Sequence, residues 1–450
     1  MKSFEETLSM ARRIALLVNE QGGEAYFVGG YVRDKIRGEE NKDIDIEIHG
    51  IAPNTLEEVL SHFGTPMEIG KSFGVYKLRG YSLDIALPRK EKQTGKGHRD
   101  FKIDVDPFIG TRKAAMRRDF TVNSIMENVL TGEIVDHFGG VDDLVKGVLR
   151  HIDDDAFGED VLRVLRGAQF AARFGYKIAS KTKDLCRKFD LRELSRERVF
   201  EEMRKALIKA PKPSLFFECL RELNQLDVWF AELQSLIGVN QDEKYHKEGD
   251  VWNHTMLVLD EAAKYRHKTE NPMGFMLSAL THDFGKTVTT TKTDGKIHSY
   301  RHETEGLPII REFLHRITNE NALISYVLNM AKLHMKPPIC FRDKSSIKAT
   351  NKLFDESVSP QDLIYLSLSD GLGQRPGKPT EEIEEFLMER LTIFNEYMAR
   401  EYVGGKDLIE NGIPQGQGFS DILAYAHKLR LAGVEKEEAL RQVLSYAKKM

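Results

Sequence analysis

The spacing of apolar and polar positions divides the chain into a mixed α/β part and a longer helical part. Residues 3–6 (Ser-Phe-Glu-Glu) form a capping-box pattern ahead of apolar residues at helical spacing, which predicts an N-terminal helix. Alternating or continuous apolar runs then predict strands, with one short helix among them. The strand-like segments are AYFVGG (25–30), DIDIEIHG (43–50) and VYKLRGYSLDIALP (75–88), and the short helix is YVRDKIRG (31–38).

After Asp155 the apolar residues recur at helical spacing over long stretches, and strand-like runs fade. KYHKEGDVWNHT (244–255) begins a new helical unit, and the turn-rich segment GQRPGKP (373–379) predicts a linker. We therefore expect an α+β fold, with a mixed sheet inside residues 1–150 and helices to the end of the chain.

Composition restricts the class of protein. The 450 residues are enough for roughly two to four domains. No apolar run reaches the roughly 18 residues of a membrane span, and MKSFEETLSM lacks the apolar stretch of a signal peptide. The net charge of −4 excludes a uniformly cationic coat for nucleic acid, although basic segments are present. Three dispersed cysteines match no disulfide framework or zinc motif and favour a cytoplasmic protein: Cys186, Cys219 and Cys340.

Two aspartates on one predicted strand form the first candidate site. Asp43 and Asp45 are two residues apart, so their side chains share a face while the intervening isoleucines point to a core. Carboxylates held together need a cation, and Mg²⁺ prefers such oxygen ligands. Two ions can activate an attacking hydroxyl and stabilise a leaving pyrophosphate. Asp84, on a later strand with the same alternation, is expected to complete the site. The alternative for the aspartate pair alone is a solvated strand edge.

A glycine pair at a predicted strand-to-helix corner precedes these aspartates. Gly29 and Gly30 allow backbone N–H groups to approach a phosphate at a helix N-terminus, and Arg33 on that helix is placed to contact a triphosphate. The ordered set from the glycines to DIDIEI resembles the head domain of the DNA polymerase beta-like nucleotidyltransferases.

Two further motifs narrow the resemblance. Residues 117–125 read Arg-Arg-Asp-Phe-Thr-Val-Asn-Ser-Ile, and residues 159–166 read Glu-Asp-Val-Leu-Arg-Val-Leu-Arg. With the head, they resemble the bacterial and eukaryotic tRNA nucleotidyltransferases, the CCA-adding enzymes, and their poly(A) polymerase relatives. The resemblance implies that nucleotide-binding side chains lie in both motifs. In the first motif, Arg118, Asp119 and Asn123 would contact the ribose and phosphates. In the second motif, Asp160 and Arg163 would read the base, and Arg166 would also belong to the nucleotide site.

Asp160 and Arg163 suit a choice of base without a template. Their i, i+3 spacing predicts a shared helix face. An aspartate accepts from an exocyclic amine and an arginine donates to a ring nitrogen, a pattern that cytosine and adenine offer and uracil and guanine do not. The alternative is an ion pair on a helix surface. The basic segment 89–101 lies where the family has a loop for switching from C to A, but it matches no switch motif, so CCA, CC-only and A-only addition stay open.

The second candidate site is a set of histidines and aspartates in helical segments. Imidazole and carboxylate ligands suit a divalent transition metal, and the order resembles the HD phosphohydrolase superfamily, whose dinuclear members hold two metals. The resemblance implies phosphatase and cyclic phosphodiesterase activities, as in some bacterial CCA-adding enzymes. The alternative for a single histidine is a satisfied core or surface residue. The six residues are His254, His282, Asp283, His302, His334 and Asp370.

The resemblance predicts four domains and a function. We expect a nucleotidyltransferase head at 1–150, a neck and body with base-reading and RNA-binding helices at 151–240, an HD domain at 241–372 and a helical, tRNA-contacting tail at 373–450. The predicted activity is addition of C and/or A from CTP and ATP to the 3′ end of tRNA. The alternatives are a poly(A) polymerase or A-only enzyme on the same scaffold, and a metal-dependent phosphohydrolase whose transferase-like half only binds RNA.

Overall fold

The computed structural model describes residues 2–68, 74–93, 101–242, 244, 246–374 and 380–449. The centre of the basic segment 89–101 and most of the predicted linker 373–379 lie outside these residues. The chain forms two compact units, which we call the first and second unit. The first comprises Met1–Glu202 with Glu218–Gln225, and the second comprises Met203–Phe217 with Leu226–Met450. The finer division into four domains stays a prediction.

A seven-stranded sheet forms the centre of the first unit, in the order β3-β4-β5-β2-β1-β8-β9. The β2–β5 pair is parallel, and the other neighbouring pairs are antiparallel. The described residues also form three separate two-stranded sheets, β6–β7, β10–β11 and β12–β13. The strands are β1 (Glu24–Phe27), β2 (Ile44–His49), β3 (Met67–Glu68), β4 (Val75–Lys77), β5 (Leu83–Ala86), β6 (Arg89–Gln93), β7 (Phe101–Val105), β8 (Met126–Asn128), β9 (Ile134–Val135), β10 (Val148–Leu149), β11 (Lys177–Ile178), β12 (Thr291–Thr293) and β13 (Lys296–His298).

Helices make up most of the chain after the sheet, which confirms the α+β prediction. They are α1 (Phe4–Glu20), α2 (Gly30–Ile36), α3 (Pro53–Ser61), α4 (Thr111–Met116), α5 (Gly140–Lys146), α6 (Asp154–Gly158), α7 (Leu162–Phe174), α8 (Ser180–Cys186), α9 (Arg196–Lys209), α10 (Ser214–Glu222), α11 (Ala231–Gln234), α12 (Val251–Tyr265), α13 (Pro272–Thr281), α14 (Lys286–Thr289), α15 (His302–Glu305), α16 (Leu307–Ile317), α17 (Asn321–Leu333), α18 (Lys336–Arg342), α19 (Ile347–Glu356), α20 (Pro360–Gln374), α21 (Glu381–Ala399), α22 (Gly405–Glu410), α23 (Phe419–Leu431) and α24 (Lys436–Ala447), with 3₁₀ turns at Thr121–Asn123 and Arg266–Lys268.

The core of the first unit lies between the sheet and helix α1. Ile44, Ile46 and Ile48 alternate along β2 and are buried against the apolar face of α1, where Ile14 and Val18 are buried as well. Full burial of a side chain of this size contributes roughly 1.5–3 kcal/mol. Because side chains alternate along a strand, the polar residues of β2 must face away from this core. The core therefore fixes the register that presents the acidic side chains.

The predicted capping box begins helix α1. The Oγ of Ser3 accepts a hydrogen bond from the N–H of Glu6 at 3.1 Å, and the Glu6 carboxylate accepts from the N–H of Ser3 at 2.8 Å. Two N–H groups that have no intrahelical partner are thus satisfied. The helix starts where the sequence pattern predicts.

Helix α20 lies at the centre of the second unit. It packs against α12 and α13, and both apolar and polar residues along it are buried, Leu363 and Asp370 among them. A helix that is buried on several sides has room for polar residues only where they are paired or bind ions. None of the helices in the described part of the chain is long and apolar enough to cross a membrane.

Candidate active sites

Three carboxylates lie near one end of the parallel strand pair in the first unit. Asp45 on β2 lies directly opposite Asp84 on β5, and residues that are opposite in a sheet project from the same face. Asp43 lies one residue before β2, and its Oδ1 accepts a hydrogen bond from the Oγ of Ser82 at 3.3 Å. Asp45 and Asp84 are therefore side by side on the sheet, and Asp43 lies on the loop that enters β2, near enough for its charge to act on Asp45.

The electrostatics of this trio call for a cation. Burial raises the pKa of Asp45 to about 6, and the charges of Asp84 and Asp43 act in the same direction, against the attraction of Arg118. Lys77 forms an ion pair with Asp84 at 2.9 Å, which neutralises part of the charge. The remaining carboxylate oxygens match the ligands that Mg²⁺ prefers. The residues present thus fit a magnesium site.

Gly29 lies near both the Asp45 carboxylate and the Arg118 guanidinium. It precedes α2 with φ +68°, a conformation that residues with a side chain adopt only with strain. A Cβ placed there would lie 3.5 Å from the Nη1 of Arg118 and 3.6 Å from the Oδ2 of Asp45. A Cβ on Gly30 would lie 3.2 Å from the Nδ2 of Asn41. The positive φ favours glycine at position 29, and the approach of backbone N–H groups to a phosphate stays a prediction.

Arg33 is buried and engaged by protein groups. Its Nε donates to the Oδ1 of Asp34 at 2.7 Å, and its Nη1 donates to the Oδ1 of Asn123 at 2.8 Å. The guanidinium also lies over the ring of Phe174, 4.6 Å from its centroid. The predicted contact of Arg33 with a triphosphate stays a prediction. What the structure shows is a guanidinium that holds neighbouring side chains in place.

Asp119 and Asn123 belong to the same buried network. The Oδ1 of Asp119 accepts from the Nδ2 of Asn123 at 2.9 Å, and its Oδ2 accepts from the Nε of Arg166 at 2.9 Å. Burial opposes ionisation of Asp119, but Arg166 and Asn123 outweigh it and hold the pKa of this carboxyl below its usual value. Asp119 is therefore an ionised, fully partnered group. Three of the predicted nucleotide-binding residues are connected by these bonds.

Asn41 extends this network to the loop of Asp43, and sequence reasoning missed it. The Oδ1 of Asn41 accepts from the backbone N–H of Asp43 at 3.0 Å, and its Nδ2 donates to the Oδ2 of Asp34 at 2.8 Å. A single asparagine in a loop leaves no periodic signal. The one hint is its amide, which can accept and donate at once.

Glu47 was also missed, although it continues the alternation of Asp43 and Asp45. It is buried on β2, and the Nη2 of Arg118 donates to its Oε2 at 3.2 Å. Burial opposes its ionisation, but bonding to His49 and the charge of Arg118 hold the pKa of Glu47 below its usual value. Arg118 is thus held between Glu47 and Asp45. The alternation could have identified Glu47, because it predicts the same face.

The prediction that Asp160 and Arg163 share a helix face is wrong in one respect. Helix α7 begins at Leu162, and Asp160 precedes it, because the Oδ1 of Asp160 accepts the free N–H of Leu162 at 3.1 Å. Its Oδ2 accepts from Arg198 at 2.7 Å. The guanidinium of Arg163 donates instead to backbone carbonyls, those of Ala156 and Arg117. The surface ion pair that was the alternative for these two residues is not formed.

A cavity of about 290 Å³ lies beside these arginines. Glu47 and Leu87 line it together with basic residues from both predicted nucleotide motifs. Its volume is close to the lower end of the range for small-ligand sites, roughly 300–1,000 Å³. The cationic residues at this cavity are Arg89, Arg117, Arg118 and Arg163.

All six predicted residues of the second site meet in the second unit. Their side chains form two groups of three, and within each group the possible ligand atoms lie within 4.8 Å of one another. One group is His254, His282 and Asp370, and the other is Asp283, His302 and His334. The Nε2 atoms of the four histidines lie close to one another and to the two aspartates. The distances are 3.4 Å for His254 Nε2–His282 Nε2, 3.3 Å for His302 Nε2–His334 Nε2, 3.1 Å for His254 Nε2–Asp370 Oδ1 and 3.2 Å for His302 Nε2–Asp283 Oδ1.

The opposite ring nitrogens determine which atoms can bind a metal. The Nδ1–H groups of His282, His302 and His334 donate to backbone carbonyls at 2.9, 2.9 and 2.6 Å. A carbonyl can only accept, so each neutral ring must carry its hydrogen on Nδ1 and a lone pair on Nε2. Lone pairs on Nε2 atoms that face one another at 3.3 to 3.4 Å repel unless a cation lies between them. The donor set therefore fits divalent metal ions.

Protons and metal ions compete for His254. Burial lowers the pKa of this ring, but hydrogen bonds that it donates to Asp370 and Glu248 outweigh burial and raise the pKa to about 9. Burial and the neighbouring rings lower the pKa of His334 to about 3. Glu248 was missed by sequence reasoning: its Oε1 lies 3.0 Å from the Nδ1 of His254 and 2.8 Å from the Nδ1 of His246. Glu248 thus orients the ring of His254, a predicted metal ligand, and also bonds to the ring of His246.

Comparison with known proteins places the chain in a family. Residues 25–150 match the family model "Poly A polymerase head domain", and residues 175–237 match "Probable RNA and SrmB- binding site of polymerase A". Two solved structures share the fold at 20% identity. They are a Bacillus stearothermophilus CCA-adding enzyme in complex with CTP (TM-score 0.69, covering 100% of this chain and 99% of that chain) and a Thermotoga maritima CCA-adding enzyme complexed with tRNA (TM-score 0.65, 99% and 98%).

Two similar sequences are both multifunctional CCA proteins. That of Actinobacillus pleuropneumoniae serotype 5b is 36% identical over 318 residues, 69% of this chain and 75% of the relative. That of Pasteurella multocida is 33% identical over 427 residues, 92% of this chain and 97% of the relative. The likeness to the second runs through both candidate sites, and the chain belongs to the family of the multifunctional CCA proteins.

Proposed function

We propose that this protein adds C and A nucleotides from CTP and ATP to the 3′ end of tRNA. The observation that carries the proposal is the register of β2 and β5, which sets Asp45 opposite Asp84 with Asp43 beside them. The Pasteurella multocida relative of nearly the same extent is a multifunctional CCA protein, which favours addition of the whole sequence over the poly(A) and A-only alternatives.

The head residues have separate tasks in this reaction. Asp43, Asp45 and Asp84 would hold two Mg²⁺, which supply charge neutralisation for the attacking oxygen and the leaving pyrophosphate. The terminal 3′-hydroxyl of tRNA attacks the α-phosphate of the bound nucleotide in line. Arg118, fixed by Glu47, faces the triphosphate. The buried network around Asp119 holds the ribose side of the pocket. Catalysis then consists mostly of positioning and electrostatic stabilisation.

Base choice falls to Asp160 and Arg163 in this proposal. The Arg163 guanidinium donates one N–H to the backbone carbonyl of Ala156 and one to that of Arg117. A guanidinium has five N–H donors, so three remain for a base. Asp160 accepts from Leu162 and Arg198, and a carboxylate can accept about four bonds. Each side chain is thus oriented by the protein and keeps free capacity. That is the condition for a protein surface that reads C and A.

A run-off assay tests this function. Purified protein is given tRNA that lacks the terminal CCA, CA or A, with CTP alone, ATP alone or both. On tRNA lacking CCA we expect two C additions from CTP alone and a final A only when ATP is present as well. On tRNA lacking only the A, we expect its addition from ATP alone. Extension by A alone on every substrate would favour the poly(A) polymerase alternative. Absence of any incorporation would leave the phosphohydrolase alternative, in which the head only binds RNA.

For the second site we propose a metal-dependent phosphohydrolase or phosphodiesterase activity with a divalent transition metal. The six clustered residues would hold one ion in each group of three, and such ions would polarise a phosphoryl oxygen and activate a water molecule. Lys286, 2.7 Å from Asp283, stabilises added negative charge near the cluster. Turnover of a phosphate ester by the full chain, measured with Mn²⁺, Ni²⁺, Co²⁺ and Zn²⁺ in turn, tests this activity. No turnover with any of them would contradict it.

The same proposal includes the domain division and the compartment. The head at 1–150, neck and body at 151–240, HD domain at 241–372 and tail at 373–450 are proposed functional regions. The family model at 25–150 supports the first of them. Action on tRNA and three free cysteines support a cytoplasmic location.

A further inference from the structure

Lys77 lies in one row with the two strand carboxylates of the first unit. β4 pairs antiparallel with β5 and sets Lys77 opposite Asp84, which in turn lies opposite Asp45 on β2. Residues that are opposite in a sheet project from the same face. The Nζ of Lys77 is 2.9 Å from the Oδ1 of Asp84. The row therefore consists of a carboxylate, a second carboxylate and an ammonium group on three neighbouring strands.

The cavity of about 290 Å³, which we assign to the nucleotide, lies one row further along the strands. Its lining includes Glu47, Ala86 and Val75, which are opposite one another in the register of β2, β5 and β4. This row is two residues away from the row of Lys77 on each strand, a distance of roughly 6–7 Å. Lys77 is absent from the cavity lining. A nucleotide in the cavity thus reaches the carboxylates and leaves Lys77 open.

The geometry of the reaction leaves the other side of the carboxylates for the second substrate. A two-metal displacement is in line, so the attacking oxygen and the leaving pyrophosphate lie on opposite sides of the α-phosphorus. With the triphosphate on the side of Arg118 and the cavity, the 3′-hydroxyl of the RNA approaches from the end at which β2 begins. Asp43 and Lys42 are exposed at this end, and so is Arg79, two residues after Lys77. The approach of the RNA is thus lined with cationic side chains.

Lys77 keeps hydrogen-bond donors for a ligand. An ammonium group has three N–H donors, and the ion pair with Asp84 uses one of them. The side chain is 40% exposed, so the remaining donors can reach a group outside the protein. Arg118 has a matching arrangement on the nucleotide side, since Glu47 holds one end of its guanidinium. Each of the two anionic substrates therefore meets a cation that a carboxylate holds in place.

We propose that Lys77 binds the last phosphodiester of the RNA acceptor end, which is one ribose away from the attacking 3′-hydroxyl. This rests on the transferase function proposed above and adds a contact to its second substrate. The ion pair with Asp84 orients Lys77, and the bond to the phosphate holds the 3′-hydroxyl beside the carboxylates. Because a small misplacement of a reacting group slows the chemical step, the contact serves positioning as well as affinity.

The test is a thermodynamic cycle between the full chain and the RNA, measured as binding by fluorescence anisotropy without CTP. The RNA is a labelled tRNA that lacks CCA, and its last linkage is either a normal phosphodiester or an uncharged methylphosphonate. Loss of a hydrogen bond to a charged group weakens binding by about tenfold or more. We therefore expect wild type to bind the uncharged RNA about tenfold more weakly, and Lys77→Met to bind both RNAs equally. Lys77→Arg keeps the charge and should restore the preference.

Two controls make the cycle specific. Lys35→Met removes another ion-paired lysine of the first unit, whose Nζ is 2.6 Å from Glu127 and whose side chain is 51% exposed, and it should bind like wild type. A methylphosphonate several linkages from the 3′ end should weaken binding by wild type and by Lys77→Met to the same extent. If Lys77 only neutralises Asp84, Lys77→Met keeps the wild-type preference for the charged last linkage, and that result overturns the proposal.

Steady-state rates of CMP addition separate this contact from the transferase function. We expect Lys77→Met to raise the KM for tRNA by about tenfold and to leave the KM for CTP within about twofold. CMP addition by wild type, without coupling between Lys77 and the last linkage, would remove the contact and keep the function. Coupling in the binding cycle without any CMP addition would keep the contact and remove the function.

Discussion

The backbone N–H of Asp43 donates to the side-chain oxygen of Asn41, and the amide nitrogen of the same Asn41 donates to buried Asp34. One side chain thus connects the loop of a proposed metal ligand to the interior. The connection continues through Arg33 to Asn123 and Asp119. The position of Asp43 is therefore set by the same network that holds the proposed nucleotide pocket.

We expect Asn41→Ala to lower kcat for CMP addition by about tenfold while the KM for CTP stays within about twofold, because a small misplacement of a reacting group mainly affects the chemical step. Steady-state kinetics on tRNA lacking CCA would measure both constants. Asn329→Ala is a matched control, since the Asn329 amide also donates once and accepts once, to and from backbone groups in the second unit. An equal loss in both variants, or a change confined to KM, would contradict the positioning role of Asn41.

Asp45→Asn should stabilise the metal-free protein above pH 6. Burial and its acidic neighbours raise the pKa of Asp45 from 3.8 to about 6. Its charge therefore destabilises the fold, by up to about 3 kcal/mol, fully above pH 6 and progressively less down to pH 3.8. Thermal melts in EDTA at pH 7.5 and pH 4 would show the gain at the first pH only. Added Mg²⁺ should stabilise wild type and not the variant. A gain of equal size at both pH values would argue against a charge effect.

Removal of the Asp370 carboxylate should weaken metal binding in the second unit. Metal that binds only the folded state stabilises it by about 2.7 kcal/mol at 100 times its dissociation constant. We expect Mn²⁺ or Zn²⁺ to raise the melting temperature of wild type and to have a much smaller effect on Asp370→Asn, with CMP addition unchanged in the variant. Metal content by plasma emission spectrometry would accompany the melts. An undiminished metal response in Asp370→Asn would remove this residue from the ligand set.

Arg163→Ala should relax the choice of base. Each well-formed base contact discriminates by roughly 1–3 kcal/mol, so we expect the preference for CTP over UTP to fall by about tenfold or more. Asp160→Asn should act in the same direction, since its amide presents a donor where the exocyclic amine needs an acceptor. Competition between labelled CTP and UTP would measure the preference. If both variants lost rate with every triphosphate equally, the base-reading role would be wrong.

The sequence predicts the elements of the head well because its signals are periodic. Alternation along β2 identifies which side chains face the site, and the capping residues mark the start of α1. The six residues of the second candidate site were also identifiable, because their order along the chain resembles that of the HD phosphohydrolase superfamily. What periodicity could not show is Asn41, whose role depends on a loop geometry that brings two distant groups to one amide.

Long-range packing explains the other differences. Asp160 leaves the helix because it caps the N–H of Leu162, and Arg163 turns to carbonyls that are distant in sequence. Glu248 lies in a segment without regular structure, and its role depends on which ring nitrogen it meets. Such contacts are decided by the tertiary fold, so no local pattern could have specified them.

The most direct test of the account is a pair of rates from one preparation of Asp43→Ala: CMP addition to tRNA lacking CCA, and hydrolysis of a phosphate ester by the second site. The account predicts that addition is lost by about a thousandfold or more, as expected when a charge-stabilising group is removed from the transition state, while hydrolysis equals that of wild type. Retained CMP addition by the variant would contradict the central claim that these carboxylates hold the catalytic ions.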